Sequence, residues 1–258
     1  MGDYSKAPEL YDLLYQEKDY AGEAAALAEV VKSRCPDAVS VLDVCCGTGE
    51  HARHLESLGF TVDGLDIEPS FVEQAGAKGL RGVFHVGDMT DFTLPDRYDA
   101  VVCLFSAIGY SKTVEALEKA VGSMAAHLSD GGVLVIEPWF EPGELTSSWI
   151  NLLGAKSDEV SVARMSRTMV EGTTSRLEFE YLVGTSEGIE RRSEVHELGL
   201  FTKDQMAGAF LAAGLTVDHL PKSLRNRGLY VGQRSPGLGE AAYLRPSGGL
   251  TKLPHDFN

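Results

Sequence analysis

A chain of 258 residues with 43% hydrophobic and 24% charged side chains has the composition of an ordinary globular protein, and it is long enough to bury a core without disulfides or a structural metal. Thirty-eight Asp and Glu against 23 Lys and Arg leave a net charge of −15, which repels a polyphosphate backbone and argues against nucleic acid as a partner. No stretch approaches the roughly 18 apolar residues of a membrane span. The four cysteines, Cys35, Cys45, Cys46 and Cys103, form no CxxC pair, so the chain reads as a cytoplasmic protein with reduced thiols, no membrane contact and no metal site.

Apolar residues at helical spacing predict a first helix over Tyr20–Val31, closed before Pro36. Val39–Val44 then reads as a buried strand ending in Cys45-Cys46-Gly47-Thr48-Gly49, with a helix from Glu50 to Leu58. The alternation continues with strand Phe60–Leu65, helix Glu68–Ala77, strands Gly82–Val86 and Tyr98–Phe105, helix Val114–Leu128 and strand Gly132–Glu137. Continuous apolar strands between helices imply a doubly wound α/β fold around a mostly parallel, seven-stranded, Rossmann-like sheet.

Past Pro138 the pattern changes. Glu159–Val170, Arg176–Gly184 and Ile189–Leu200 alternate in polarity between turns at Glu171-Gly172-Thr173 and Ser186-Glu187-Gly188, which predicts three antiparallel strands. Helix Thr202–Ala213 and strands Leu215–Leu220 and Gly228–Gln233 then complete the main sheet. The antiparallel insert, about residues 140–200, falls between strand five and the last helix, beside the carboxyl ends of the strands where open sheets bind ligands. We expect one unit over residues 1–234 that includes this insert, followed by an irregular tail over 235–258.

The strongest local signal is strand, Gly47-Thr48-Gly49 and an immediate helix: glycines let a ligand approach the backbone, and the helix start offers free N–H groups. Ala52 stands where a dinucleotide fingerprint would place a third glycine or an alanine, so spacing alone admits NAD. Asp66 ends the second strand 23 residues after Asp43, where it can take both ribose hydroxyls, and Asp88 follows the third strand, where it can take an exocyclic adenine amine. With Asp43 and Glu50 beside the turn and no basic partner nearby in sequence, the set suits an adenosine ligand ending in a zwitterionic amino acid.

Asp43-Val44-Cys45-Cys46-Gly47-Thr48-Gly49, Gly64-Leu65-Asp66, Gly87-Asp88-Met89 and Leu128-Ser129-Asp130-Gly131-Gly132 together resemble class I S-adenosylmethionine-dependent methyltransferases. The resemblance implies that Gly47 and Gly49 hold the methionine part, Asp66 the ribose and Asp88 with Met89 the adenine. It extends the cofactor set to Tyr20, Asp43, Cys45, Thr48, Ile67, Leu104 and Phe105. Tyr11-Asp12, Lys18-Asp19-Tyr20, Phe105-Ser106-Ala107-Ile108-Gly109, Ile136-Glu137-Pro138-Trp139-Phe140 and Arg227-Gly228-Leu229-Tyr230-Val231-Gly232 narrow it to the TDP-3-amino-sugar N,N-dimethyltransferases. These, the resemblance implies, are homodimers that methylate the amine of a TDP-amino sugar twice, for antibiotics.

Candidate substrate contacts are Tyr11, Ser106, Glu137, Trp139 and Arg227, the last from a basic group with Lys222, Arg225 and Arg234 suited to a pyrophosphate. Where the subfamily is expected to read Ser-Ile-Gly-His, this chain has Ala107-Ile108-Gly109-Tyr110, so Tyr110 is the candidate catalytic residue in place of an imidazole. A phenol is a poor base near neutrality, although it orients a hydrogen bond. His196 reads as a sheet-packed or exposed histidine before it reads as a base, and His51 is an alternative partner for the cofactor. The expected chemistry is in-line methyl transfer to an amine without a metal. Other small-molecule acceptors, a non-catalytic cofactor binder and a nicotinamide oxidoreductase are the competing readings.

Overall fold

The computed structural model describes residues 10–145, 149–221, 224 and 227–235. A four-residue helix, α1 (Tyr11–Leu14), precedes α2 (Tyr20–Arg34), whose N-terminus is capped by the Asp19 carboxylate accepting the Gly22 N–H at 2.8 Å. Ala24, Leu27 and Val31 form the buried stripe of α2. The chain continues as β1 (Ser40–Val44), α3 (Glu50–Ser57), β2 (Thr61–Asp66), α4 (Pro69–Ala77), β3 (Phe84–Val86), β4 (Tyr98–Cys103), α5 (Val114–Ala126) and β5 (Leu128–Ile136). The β5 strand starts four residues earlier than its apolar run, because Leu128 pairs with Tyr98 across an irregularity in register.

Four strands follow: β6 (Trp149–Lys156), β7 (Ser161–Glu171), β8 (Thr174–Thr185) and β9 (Gly188–Gly199). Sequence periodicity predicts only the last three. In β6 the run Trp149, Ile150, Asn151, Leu152, Leu153 carries apolar side chains on both faces, which erases the alternation that reveals a strand. Thr202 and Gln205 then form a capping box at the start of α6 (Lys203–Ala212), before β10 (Leu215–Leu220) and β11 (Leu229–Arg234).

The larger sheet has the order β10-β11-β5-β4-β1-β2-β3, parallel except where β11 runs antiparallel between β5 and β10. It is the doubly wound α/β sheet expected from the sequence. Alternate residues of its central strands sort into two cores: Leu42, Val101, Cys103, Leu134 and Ile136 pack toward α5 and α6, and Val41, Val102, Val133 and Val135 toward α2 and α3. The smaller sheet is antiparallel, in the order β6-β7-β8-β9.

Two short segments join the sheets. Leu10 and Leu14, at α1, pack with Val162, Tyr181 and Val183 of the smaller sheet into a separate apolar cluster. After β4, Phe105 and Ser106 adopt left-handed backbone (φ 54° and 62°), a strained conformation for non-glycine residues, and lead into a 3-10 helix at Ala107–Ser111. A Cβ on Gly109 of that helix would lie 2.9 Å from Leu198 Cδ2 of β9, so the absent side chain permits close approach of the two elements. The expected tail, apart from Ser235, lies outside the described residues, as do Lys222 and Arg225.

Candidate active site

The turn after β1 is built from backbone groups. Cys45 and Gly47 are left-handed (φ 62° and 54°); the Cys45 and Cys46 N–H groups donate to the Leu65 carbonyl at 2.7 and 3.1 Å, and the Gly47 N–H donates to Asp66 Oδ2 at 2.8 Å. A Cβ at Gly47 would meet nothing within 4 Å, so the backbone there borders open space. Gly49 serves differently: it is the left-handed cap of α3, and a Cβ on it would come within 3.1 Å of Ala75 in α4, which makes it a packing glycine.

Asp66 Oδ1 accepts the Glu68 N–H at 2.9 Å. Burial raises the Asp66 pKa, and the N–H bonds from Glu68 and Gly47 partly offset that. Asp43 is 1% exposed and its Oδ2 has no hydrogen-bond partner; burial, reinforced by the charge of Asp66 and opposed by Lys18, pushes its pKa up to about 8. Asp88 Oδ1 accepts the Thr90 N–H at 2.8 Å, and the sulfur of buried Met89 lies 3.7 Å from Cys45 Sγ.

The turn does have basic neighbours, which local sequence did not reveal. Lys18 is buried with Nζ 3.8 Å from the Tyr20 ring centroid and 5.0 Å from that of Phe105, bonded to Glu23 and 3.1 Å from His51 Nε2. Burial would raise the Glu23 pKa, but the bonds from His51 (2.8 Å) and Lys18 outweigh it and bring it down to about 2. Burial lowers the pKa of His51, so the imidazole resists protonation. Thr48 donates to Asp12, and Lys78 pairs with Asp12 at 2.7 Å and Glu50 at 2.5 Å, which ties the segment holding α1 to this turn.

Facing these groups is the inner side of the smaller sheet. Tyr110 Oη lies 2.8 Å from His196 Nδ1, His196 Nε2 lies 3.3 Å from Glu194 Oε2, and the Tyr181 hydroxyl donates to that carboxylate oxygen at 2.7 Å. Arg164 donates to the Tyr15 hydroxyl at 3.0 Å and stacks on Phe179, while its buried Nε finds no acceptor. At the rim the Arg227 guanidinium sits 4.5 Å from the Trp139 ring centroid and donates to Ser106 Oγ at 2.7 Å. Glu137 accepts the Phe105 N–H at 2.6 Å; burial raises its pKa, partly offset by Arg227 with Nη1 3.9 Å away.

The two walls enclose a cavity of about 640 Å³. Tyr11, Tyr20, Asp43, Cys45, Gly47, Thr48, Asp66, Ile67, Asp88, Met89, Leu104, Phe105, Tyr110, Trp139 and Arg227 line it, with Lys18 and His51. Gly49, Ser106 and Glu137 stand behind its wall. The basic group does not assemble there as a whole, since Arg234 turns away to donate to the Ala125 carbonyl at 2.5 Å. Sequence reasoning missed Asn151, Arg164, Thr168, Phe179, Tyr181, Glu194 and the partnership of His196. The signal was present in part: Arg164 and Thr168 share strand parity with the apolar, buried Val162.

A family profile described as "Methyltransferase domain" matches residues 41–132. The chain is 42% identical over 234 residues, 89% of its length and 92% of the relative's, to the dTDP-3-amino-3,6-dideoxy-alpha-D-glucopyranose N,N-dimethyltransferase of Streptomyces fradiae. It belongs to this family of sugar N,N-dimethyltransferases. The crystal structure of Streptomyces venezuelae DesVI superposes with a TM-score of 0.83 at 39% identity, covering 90% of this chain and 99% of that one. CalS10, an amino pentose methyltransferase of Micromonospora echinaspora whose structure contains bound S-adenosylmethionine, superposes at 0.79 and 35% identity, covering 91% and 99%.

The methyltransferase therefore uses S-adenosylmethionine, and its own residues fit that group. The open space against Gly47 admits an adenosyl ligand at the turn, and Asp43 Oδ2, buried without a hydrogen-bond partner and with its pKa raised, is a group that a cationic end would draw toward ionisation. Gly47, Asp66, Asp88 and Met89 are the residues that would hold it.

Proposed function

We propose that this enzyme transfers two methyl groups from S-adenosylmethionine to the amine of a TDP-amino sugar in antibiotic biosynthesis. The carrying observation is that one cavity has the acidic groups Asp66 and Asp88 along one wall and the aromatic-backed Arg227 with Tyr110 on the other. Its volume is of the size that small-molecule sites occupy, and its polarity is divided between an adenosine-binding side and an anion-binding rim. The sulfonium donor supplies an already activated electrophilic methyl group. The chain's task is to hold the amine lone pair in line and keep bulk water out. Arg227 meets the pyrophosphate, the Trp139 ring backs its guanidinium, and Tyr110 orients the amine.

In this reading residues 1–234 act as one unit in the cytoplasm, with 140–200 as the substrate-side insert. The four unbridged cysteines agree with a reducing compartment. We also propose a homodimer, supported by exposed Ile150, Leu152, Met165, Leu182 and Val195 on the outer face of the smaller sheet. The test is mass spectrometry of products formed with TDP-3-amino and TDP-4-amino deoxysugars, free amino sugars and unrelated amines, on protein whose mass by light scattering is expected at twice 27.8 kDa. Two methyl increments confined to a TDP-amino sugar are the expected result. Methylation of an unrelated amine alone would overturn the substrate assignment, and a monomeric mass would overturn the dimer.

A further inference from the structure

We infer that His196 takes up the proton that the acceptor amine must shed, through the Tyr110 hydroxyl, with Glu194 beside the imidazole to balance the charge it gains. This rests on the amine-methylating function proposed above and assigns the step that the replacement of an imidazole by Tyr110 left without a base.

The geometry orders the donors and acceptors. His196 is 7% exposed and Glu194 5%, both on the cavity side of β9. When the Tyr110 hydroxyl donates to Nδ1 at 2.8 Å, the ring proton sits on Nε2 and points toward Glu194 Oε2 at 3.3 Å. Tyr181 from β8 donates to the same carboxylate oxygen at 2.7 Å, fixing it from the other side. Arg164 from β7 carries the nearby positive charge; it engages the Tyr15 and Tyr181 hydroxyls and the face of Phe179, whose ring packs 4.9 Å from that of His196. The titratable and charged groups that these elements bring around the imidazole include Tyr110, Glu194, Tyr181 and Arg164. Gly109 makes the arrangement possible, because a side chain there would hold the 3-10 helix off β9.

The proton count closes. A sugar amine arrives largely as ammonium at neutral pH and has no lone pair to offer. One N–H proton passes to Tyr110 Oη as the phenolic proton passes to His196 Nδ1, leaving a free amine, a neutral phenol and an imidazolium next to a carboxylate. The lone pair then forms the N–C bond while the S–C bond breaks and its electron pair returns to sulfur. The secondary ammonium product needs the same removal before the second methyl, once His196 has returned its proton to solvent; the tertiary product needs none. His196 acts through Tyr110 and is therefore a positioning residue for the proton, while Tyr110 touches the amine.

The experiment is the pH profile of kcat/KM for the TDP-amino sugar in wild type, His196→Asn and Tyr110→Phe, each with its affinity for S-adenosylhomocysteine measured in parallel. Asn keeps an acceptor near the Nδ1 position without a titratable ring. The expected result is a loss of tenfold or more at pH 7 in both variants; near pH 9.5, where the amine deprotonates without help, the loss shrinks to less than twofold in His196→Asn and by at least threefold in Tyr110→Phe, which also gives up the hydroxyl that orients the amine, with S-adenosylhomocysteine affinity unchanged within twofold in both. Equal losses at every pH, or no loss at pH 7, would overturn the relay. If His196→Asn fails to fold, Tyr110→Phe, which removes a single hydroxyl, decides by whether its loss shrinks at least threefold between pH 7 and 9.5 or stays constant. A wild-type protein that binds S-adenosylhomocysteine but methylates no amine overturns the proposed function and the relay together, an outcome distinct from an active wild type with a pH-independent loss.

Discussion

On the sheet side of the cavity, the lining groups come mainly from the ends of β1, β2 and β3 and the turns after them, and most of the contacts that shape them are backbone N–H bonds: Cys45 and Cys46 to Leu65, Gly47 to Asp66, Glu68 to Asp66. On the insert side they are side chains drawn from β7, β8, β9 and a 3-10 helix, and Tyr110 and His196 meet across 86 positions of sequence. A wall of backbone groups constrains a few local residues tightly, because only certain side chains allow the required dihedral angles and close approach. A wall of side chains leaves each strand free to vary so long as the alternation persists. The first kind of wall suits a ligand shared by many enzymes, and the second suits an acceptor that differs between them.

Asp66→Ala breaks the sheet side most severely, since the carboxylate both anchors the Gly47 N–H and would accept from the ribose. Loss of charged hydrogen bonds of this kind costs about 3 kcal/mol, so affinity for S-adenosylhomocysteine measured by calorimetry should fall by about a hundredfold. Unchanged affinity would remove Asp66 from the cofactor site. Gly109→Ala attacks the other wall: the new Cβ presses on Leu198 and separates Tyr110 from His196. Overpacking of this sort costs about 1–3 kcal/mol; kcat should drop by about tenfold with cofactor affinity kept within twofold, and a joint loss of both would show that the walls are not separable.

The mildest test concerns Asp43. Its folded-state pKa, about 8, stands above the ordinary carboxylate value near 3.9, so the folded protein retains a proton there that the unfolded chain releases. That contribution is fully present below about pH 4 and is lost as pH rises through 8. Asp43→Asn has nothing to titrate, so its melting temperature relative to wild type should climb over that interval and level off above it. A constant difference from pH 4 to 8 would mean that Asp43 is already ionised in the fold.

The same contrast explains what could be read from sequence. The parallel sheet and the glycine turn were legible because continuous apolar strands and a Gly47-Thr48-Gly49 turn are local patterns. The cavity-lining acids Asp66 and Asp88 could be picked out because they sit next to strand ends. Lys18 escaped because it reaches the turn from 25 or more positions upstream, and β6 because Ile150 and Leu152 put apolar side chains on a face that usually reads as polar. His196 looked like packing because nothing in its own strand marks Tyr110 as a partner; Tyr110 arrives from a turn after β4, which includes left-handed Phe105 and Ser106.

The short helix α1 also determines how the molecule comes apart. Leu10 and Leu14 are buried in the smaller sheet's apolar cluster, while Asp12, midway between them, is pinned to Thr48 and Lys78 of the larger sheet's layer. A segment shared in this way couples the melting of the two sheets, because neither can lose its packing without releasing a clasp that the other also uses. The chain should therefore unfold with a single calorimetric transition.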